Sequence, residues 1–125
     1  MQSRENMKIL CIEDEIDIGA LLKDVLEATG HYVTTCDNGL EALTILGHEA
    51  FDLVILDLNM PKFSGTDVIN SLVENNSISN MNIVILTAND LKESEISEFE
   101  QKGIKEFMRK PMSVQGILNV VKKFE

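Results

Sequence analysis

Phe51-Asp52-Leu53-Val54-Ile55-Leu56-Asp57 is the most apolar run in the chain, and it ends on a carboxylate. Side chains buried on both faces are what a central strand of a parallel sheet needs, so this run reads as such a strand with Asp57 at its end. Upstream, Lys8-Ile9-Leu10-Cys11-Ile12 is a shorter apolar strand stopped by Glu13-Asp14-Glu15. From about Asp14 to Thr29, Ile18, Leu21, Leu22, Val25 and Leu26 recur at helical spacing, and Gly30 follows as a natural C-cap. His31 to Cys36 reads as a second strand, Asn38-Gly39 as a turn, and Leu40 to His48 as a helix with Leu43 and Leu46 on one face.

Downstream, Met60-Pro61-Lys62-Phe63-Ser64-Gly65 is loop, and Thr66 to Glu74 is a third helix built on Val68, Ile69, Leu72 and Val73. Asn75 to Asn82 is polar. Ile83-Val84-Ile85-Leu86 is another buried strand, ending in Thr87. Leu91 to Lys102 is helical but weakly apolar, with Ile96 and Phe99 as its core candidates, and Gly103 stops it. Ile104 to Met108 is the last strand. After Lys110-Pro111, Ser113 caps a helix holding Val114, Ile117, Leu118 and Val121. Five strand–helix pairs in strict alternation call for an α/β fold, a parallel sheet with helices on both faces.

The 125 residues suit one domain, 1–125, with 1–7 as a short N-terminal extension and no internal repeat or linker. The last helix ends with the chain, so no effector domain is expected within it. That stop fits a stand-alone domain or one cut from a longer protein. The first seven residues lack the apolar core of a secretory signal, and no apolar run reaches the roughly 18 residues of a membrane span; a cytoplasmic protein that binds no membrane is expected. Cys11 and Cys36 sit in strand-like stretches and read as buried, reduced thiols. The net charge of −10, from 21 acidic and 11 basic residues, opposes nucleic-acid binding. Arg109, Lys110, Lys122 and Lys123 are too scattered to form a groove-binding stripe. His31 and His48 are expected to face solvent, without the partners a metal site requires.

Ligands of an open doubly wound sheet bind beyond the carboxyl ends of its strands, where strand order reverses. Glu13 and Asp14 follow the first strand, Asp57 the third, Thr87 the fourth and Lys110 the fifth. Each alone has a plainer reading: Glu13-Asp14 or Thr87 could cap a helix, and Lys110 could be surface charge. Together they place three carboxylates, a hydroxyl and an ammonium on one edge. Three close carboxylates repel unless a cation lies between them, and hard oxygen ligands in a partly wet site suit Mg²⁺, which leaves room for a phosphate oxygen. Lys110 supplies positive charge to the same group and Thr87 a donor. Asp57, leaving the most buried strand, is best placed as nucleophile. Positioning and charge neutralisation are most of what phosphoryl transfer needs.

Glu13-Asp14, the run Asp57-Leu58-Asn59-Met60-Pro61-Lys62-Phe63-Ser64-Gly65, Thr87-Ala88 and Lys110-Pro111, each at the end of the proper strand, resemble the receiver domains of two-component signalling, over about Lys8 to Lys123. The resemblance implies a flavodoxin-like (βα)5 sheet in the order 2-1-3-4-5. It implies that Asp57 is phosphorylated by a sensor histidine kinase or histidine phosphotransfer protein, with the domain catalysing its own transfer and dephosphorylation. Glu13, Asp14, Asp57 and the backbone carbonyl of Asn59 would bind Mg²⁺ (Mn²⁺ is possible), Lys110 would pair with the phosphoryl group, and the peptide bond from Lys110 to Pro111 would be cis. Thr87 and Phe107 would act as the switch, and Asn59 and Asn89 would tune the life of the phosphate. A downstream target would read the face built by the fourth helix, last strand and last helix. The domain would be a monomer or weak dimer. Phe107 matches the aromatic switch position but lacks a tyrosine's hydroxyl.

Three other functions compete. A flavin or nucleotide binder needs a Gly- or Ser/Thr-rich loop after the first strand; Glu13-Asp14-Glu15 repels phosphate. A dehalogenase-type phosphatase puts its nucleophile after the first strand and needs a cap domain. A phosphorylation-independent interaction module on the same fold remains open.

Overall fold

The computed structural model describes residues 6–125. Its elements are β1 (Lys8–Ile12), α1 (Ile16–Ala28), β2 (Tyr32–Cys36), α2 (Gly39–His48), β3 (Leu53–Asp57), α3 (Gly65–Glu74), β4 (Ile83–Thr87), α4 (Glu93–Lys102), β5 (Glu106–Arg109) and α5 (Val114–Lys122). All pairings are parallel, in the order β2-β1-β3-β4-β5. The chain steps from β1 to β2 on one side and then crosses to β3 on the other. Strand order therefore reverses between β1 and β3, which puts the crevice where Glu13 and Asp57 emerge.

Alternation along the strands divides the core in two. Ile9, Cys11, Leu53, Ile55, Val84 and Leu86 pack with Leu22 and Leu26 of α1 and Ile117 and Val121 of α5. Leu10, Ile12, Val54, Leu56, Ile83 and Ile85 pack with Ala42 of α2 and Val68, Ile69 and Leu72 of α3. β3 and β4 are buried at every position, as strands covered on both faces must be. Cys11 and Cys36 are both buried and free. They belong to opposite faces of the sheet, which keeps their thiols apart.

Cap chemistry sets several boundaries. Asn38 accepts from the Glu41 N–H at the start of α2, Ser64 and Asp67 form a reciprocal capping box on α3, and Ser113 accepts from the Gly116 N–H on α5. At the end of α4, Gly103 takes a φ of 115° and the Ile104 N–H bonds back to the Phe99 carbonyl. Ile104 is thereby spent on the cap, and β5 starts at Glu106 rather than at Ile104. The polar segment 75–82 is not all loop: a 3-10 turn at Ile78–Asn80 buries Ile78, and the segment's two apolar residues, Ile78 and Met81, are too few to set a period.

His31 does not face solvent. It is 4% exposed, its Nδ1 accepting the Met7 N–H at 3.0 Å and its Nε2 lying 2.8 Å from Glu125 Oε2. Since Nδ1 accepts, the ring proton sits on Nε2 and points at the carboxylate. The turn at Gly30, φ 96°, carries the ring under the sheet, where it ties the approach to β1 to the end of α5. Met7, grouped with the N-terminal extension by its sequence, is fully buried and Asn6 is exposed; residues 1–5 of that extension lie outside the described residues. His48 is exposed. Among the described residues no helix is long and apolar enough to cross a membrane.

Candidate functional site

The strand register brings the site together. Ile12 pairs with Leu56 and Asp57 with Leu86, so the residues leaving β1 and β3 stand side by side. Glu13 and Asp57 are buried and Asp14 is half-buried. One carboxylate oxygen from each of the three lies within 4.8 Å of the others. Lys110 reaches in from beyond β5, its Nζ 2.6 Å from Glu13 Oε1 and 3.3 Å from Asp57 Oδ1. Its own N–H donates to the Thr87 carbonyl, and its peptide bond to Pro111 is cis.

Hydrogen bonding is incomplete where a ligand would act. Asp57 Oδ1 accepts the Asn59 N–H and Glu13 Oε2 the Glu15 N–H, each at 3.1 Å. Asp57 Oδ2 is buried with no donor, and Glu13 Oε1 has the Lys110 charge beside it but no aligned hydrogen bond. Buried carboxylate oxygens left so cost free energy, and a hard cation among Glu13, Asp14 and Asp57 would satisfy them; the donor set fits Mg²⁺. Burial pushes the Glu13 carboxyl up to about 7, against the pull of Lys110 and the Glu15 N–H and with further help from Asp57. Burial draws the Lys110 ammonium down, but Glu13 and Asp57 outweigh it and hold its pKa above the usual lysine value.

Thr87 continues the alternation of Ile83 and Ile85, so it faces the α4 side of the sheet. Its hydroxyl donates to the Asn89 carbonyl at 3.0 Å and accepts the Asn89 N–H at 3.2 Å. It closes a local turn in the β4–α4 loop and caps no helix. Asn59 and Asn89 are exposed at the rim. Phe107 is half-buried, with its ring 6.4 Å from that of Phe99. The sequence reading did not single out Gly65 or Lys62 for the site. At Gly65 a Cβ would collide with the Asp57 carbonyl oxygen; its place before a helix and after Ser64 was the available signal. Lys62 holds a φ of 67° in the loop after Asp57, and nothing in its residue type announces that.

The family model of the response regulator receiver domain matches residues 9–122. The chain belongs to that family. This receiver is 31% identical to the sporulation initiation phosphotransferase F of Bacillus subtilis over 95% of its own length and 94% of that protein's. It is 43% identical to a transcriptional regulatory protein CpxR homologue of Haemophilus influenzae over 65% of its own length, but that match spans 34% of the longer relative. Among solved structures, the response regulator TrrA of Thermotoga maritima, in complex with Mg²⁺ and BeF, superposes with a TM-score of 0.80 at 32% identity, covering 94% of this chain and 98% of that one. The receiver fold thus extends over the whole described sheet, and the acid cluster lies at its switch point.

Proposed function

We propose that this receiver takes a phosphoryl group from a phosphohistidine, on a sensor kinase or a histidine phosphotransfer protein, onto Asp57. Asp57 Oδ2, buried and without a donor beside Lys110 and two further carboxylates, is the observation that supports this best. In the transfer, an Asp57 carboxylate oxygen forms the new O–P bond while the histidine N–P bond breaks. The imidazole leaves with the electron pair and takes a proton. Glu13, Asp14 and Asp57, with the backbone carbonyl of Asn59, would hold Mg²⁺ (or Mn²⁺), which when bound supplies positive charge beside the phosphoryl oxygens. Lys110 exchanges its contact with Asp57 for a phosphoryl oxygen, so its charge follows the charge being moved. TrrA's complex with Mg²⁺ and BeF is consistent with such a pocket in a relative of equal size.

The added charge and acceptor oxygens then draw Thr87 off Asn89. Phe107 follows, and the face of α4, β5 and α5 changes its affinity for a downstream protein. Asn59 and Asn89 at the rim govern water access and hence the life of the acyl phosphate. A cytoplasmic setting matches a phosphohistidine donor. The test is intact mass after incubation with acetyl phosphate and Mg²⁺. One added phosphoryl group in the wild type, absent in Asp57→Asn and with chelator, is expected. No gain, and no Mg²⁺-dependent spectral change with beryllofluoride, would overturn the acceptor reading and leave an interaction module independent of phosphorylation.

A further inference from the structure

Among the described residues, α4 alone of the five helices has no buried residue. Four of its ten residues are glutamates, and of its two half-buried apolar residues, Ile96 and Phe99, it is Phe99 that packs against the core. Phe99 stands between two features of the site. On one side its ring lies 6.4 Å from Phe107 at 55°, the tilted arrangement aromatic rings prefer. On the other it helps line a cavity of about 350 Å³ whose walls include Asn59, Thr66, Thr87 and Leu91. Phe107 does not line that cavity, although it shares a face of the sheet with Thr87: Ile85 pairs with Phe107 and Thr87 with Arg109.

We infer that Phe99 is a positioning residue that couples α4 to the phosphorylation site, because its ring lies against Phe107 on one side and lines the cavity beside Thr87 on the other. The inference rests on Asp57 being the phosphoryl acceptor. Packed interiors yield by discrete rearrangement rather than by compression. When Thr87 leaves Asn89 for a phosphoryl oxygen, Phe107 can move toward the vacated side only if Phe99 gives way. Phe99 is the apolar anchor at the C-terminal half of α4, so its displacement carries the helix with it. An α4 with no buried residue opposes that movement least. A leucine at 99 keeps an apolar contact but gives up the flat wall, leaving Phe107 room to move past a helix that stays where it is.

The experiment uses the full chain, labelled with ¹⁵N, as wild type, Phe99→Leu and Phe99→Tyr. Amide shifts are followed with and without Mg²⁺ and beryllofluoride, and intact mass after acetyl phosphate reports loading of Asp57. Loading is expected to be equal in all three proteins, with the same response at Leu58 and Ala88. The response of residues 93–102 is expected to fall several-fold in Phe99→Leu and to return in Phe99→Tyr, which restores the ring. A wild-type response of α4 in Phe99→Leu, or a loaded wild type whose α4 does not respond, would overturn the coupling while leaving the acceptor intact. A wild type that neither loads nor responds to beryllofluoride would overturn both.

Discussion

Gly65 begins α3 with its α-carbon pressed against Asp57: a Cβ at position 65 would run into the Asp57 carbonyl oxygen and come within 2.7 Å of the Leu58 Cα. Both neighbours are backbone and cannot swing aside. The Gly65 N–H also donates to the Leu58 carbonyl at 3.1 Å, so the helix start and the end of the site strand are locked together. Gly65→Ala is expected to displace one from the other and to cost roughly 1–3 kcal/mol of stability, as overpacking does, while slowing acetyl phosphate labelling of Asp57. Gly19 is the control. It lies within α1 and a Cβ there would meet nothing within 4 Å, so Gly19→Ala should gain about 0.5–1 kcal/mol from helix propensity. Urea denaturation of the two variants would separate the effects, and equal shifts in both would refute the steric account.

Lys62 carries backbone strain beside the site. The Phe63 N–H donates to the Pro61 carbonyl at 2.8 Å across it, and its φ is 67°, which makes the rare, strained form of the γ-turn. A left-handed conformation costs a residue with a Cβ roughly 1–2 kcal/mol, offset in part by the greater freedom glycine has in the unfolded chain. Lys62→Gly is expected to raise stability by up to about 1 kcal/mol on that balance. Asn76, also left-handed at φ 60°, belongs to a residue type that tolerates the region, so Asn76→Gly should change little. A Lys62→Gly protein less stable than wild type would mean the lysine side chain holds the turn.

The raised pKa of Glu13 makes stability depend on pH in a definite direction. Its carboxyl moves from an ordinary value of 4.5 to about 7 on folding, so the folded state binds the proton more tightly than the unfolded one. Its contribution is complete below pH 4.5 and is lost as pH rises through 7. In chelator, Tm should fall across that window, and Glu13→Gln should flatten the slope. Mg²⁺ should reverse it by neutralising the same charges, and a hundredfold excess over its Kd would add about 2.7 kcal/mol. A pH slope identical in wild type and Glu13→Gln would exclude Glu13 as its source.

His31 should matter to stability without touching the site. His31→Ala leaves the buried Met7 N–H with no acceptor, a loss of about 1–3 kcal/mol. His31→Asn can place Oδ1 near the position of Nδ1, keeping that bond while giving up the contact with Glu125. It should lose less, and phosphodonor labelling should match wild type in both. Equal destabilisation by alanine and asparagine in urea melts would show that ring packing, not the Met7 bond, is what His31 supplies.

What the sequence determined by itself was whatever depends on near neighbours in the chain. Runs such as Leu53 to Leu56 declare a strand buried on both faces, the spacing of Leu22 and Leu26 declares the inner face of α1, and the residue after each run marks a strand's carboxyl end. A parallel sheet must place those ends on one edge, so Glu13, Asp57, Thr87 and Lys110 could be gathered before any distance was known. Tertiary structure alone decided how the gathered groups pair. Lys110 stands closer to Glu13 than to Asp57, the Thr87 hydroxyl is held by Asn89, and Phe99 rather than solvent lies against Phe107. The burial of His31 was likewise invisible, because its partners Met7 and Glu125 are 24 and 94 residues away. Periodicity records which face a residue turns inward; the distance at which two remote side chains meet depends on how whole elements pack, and no local pattern encodes it.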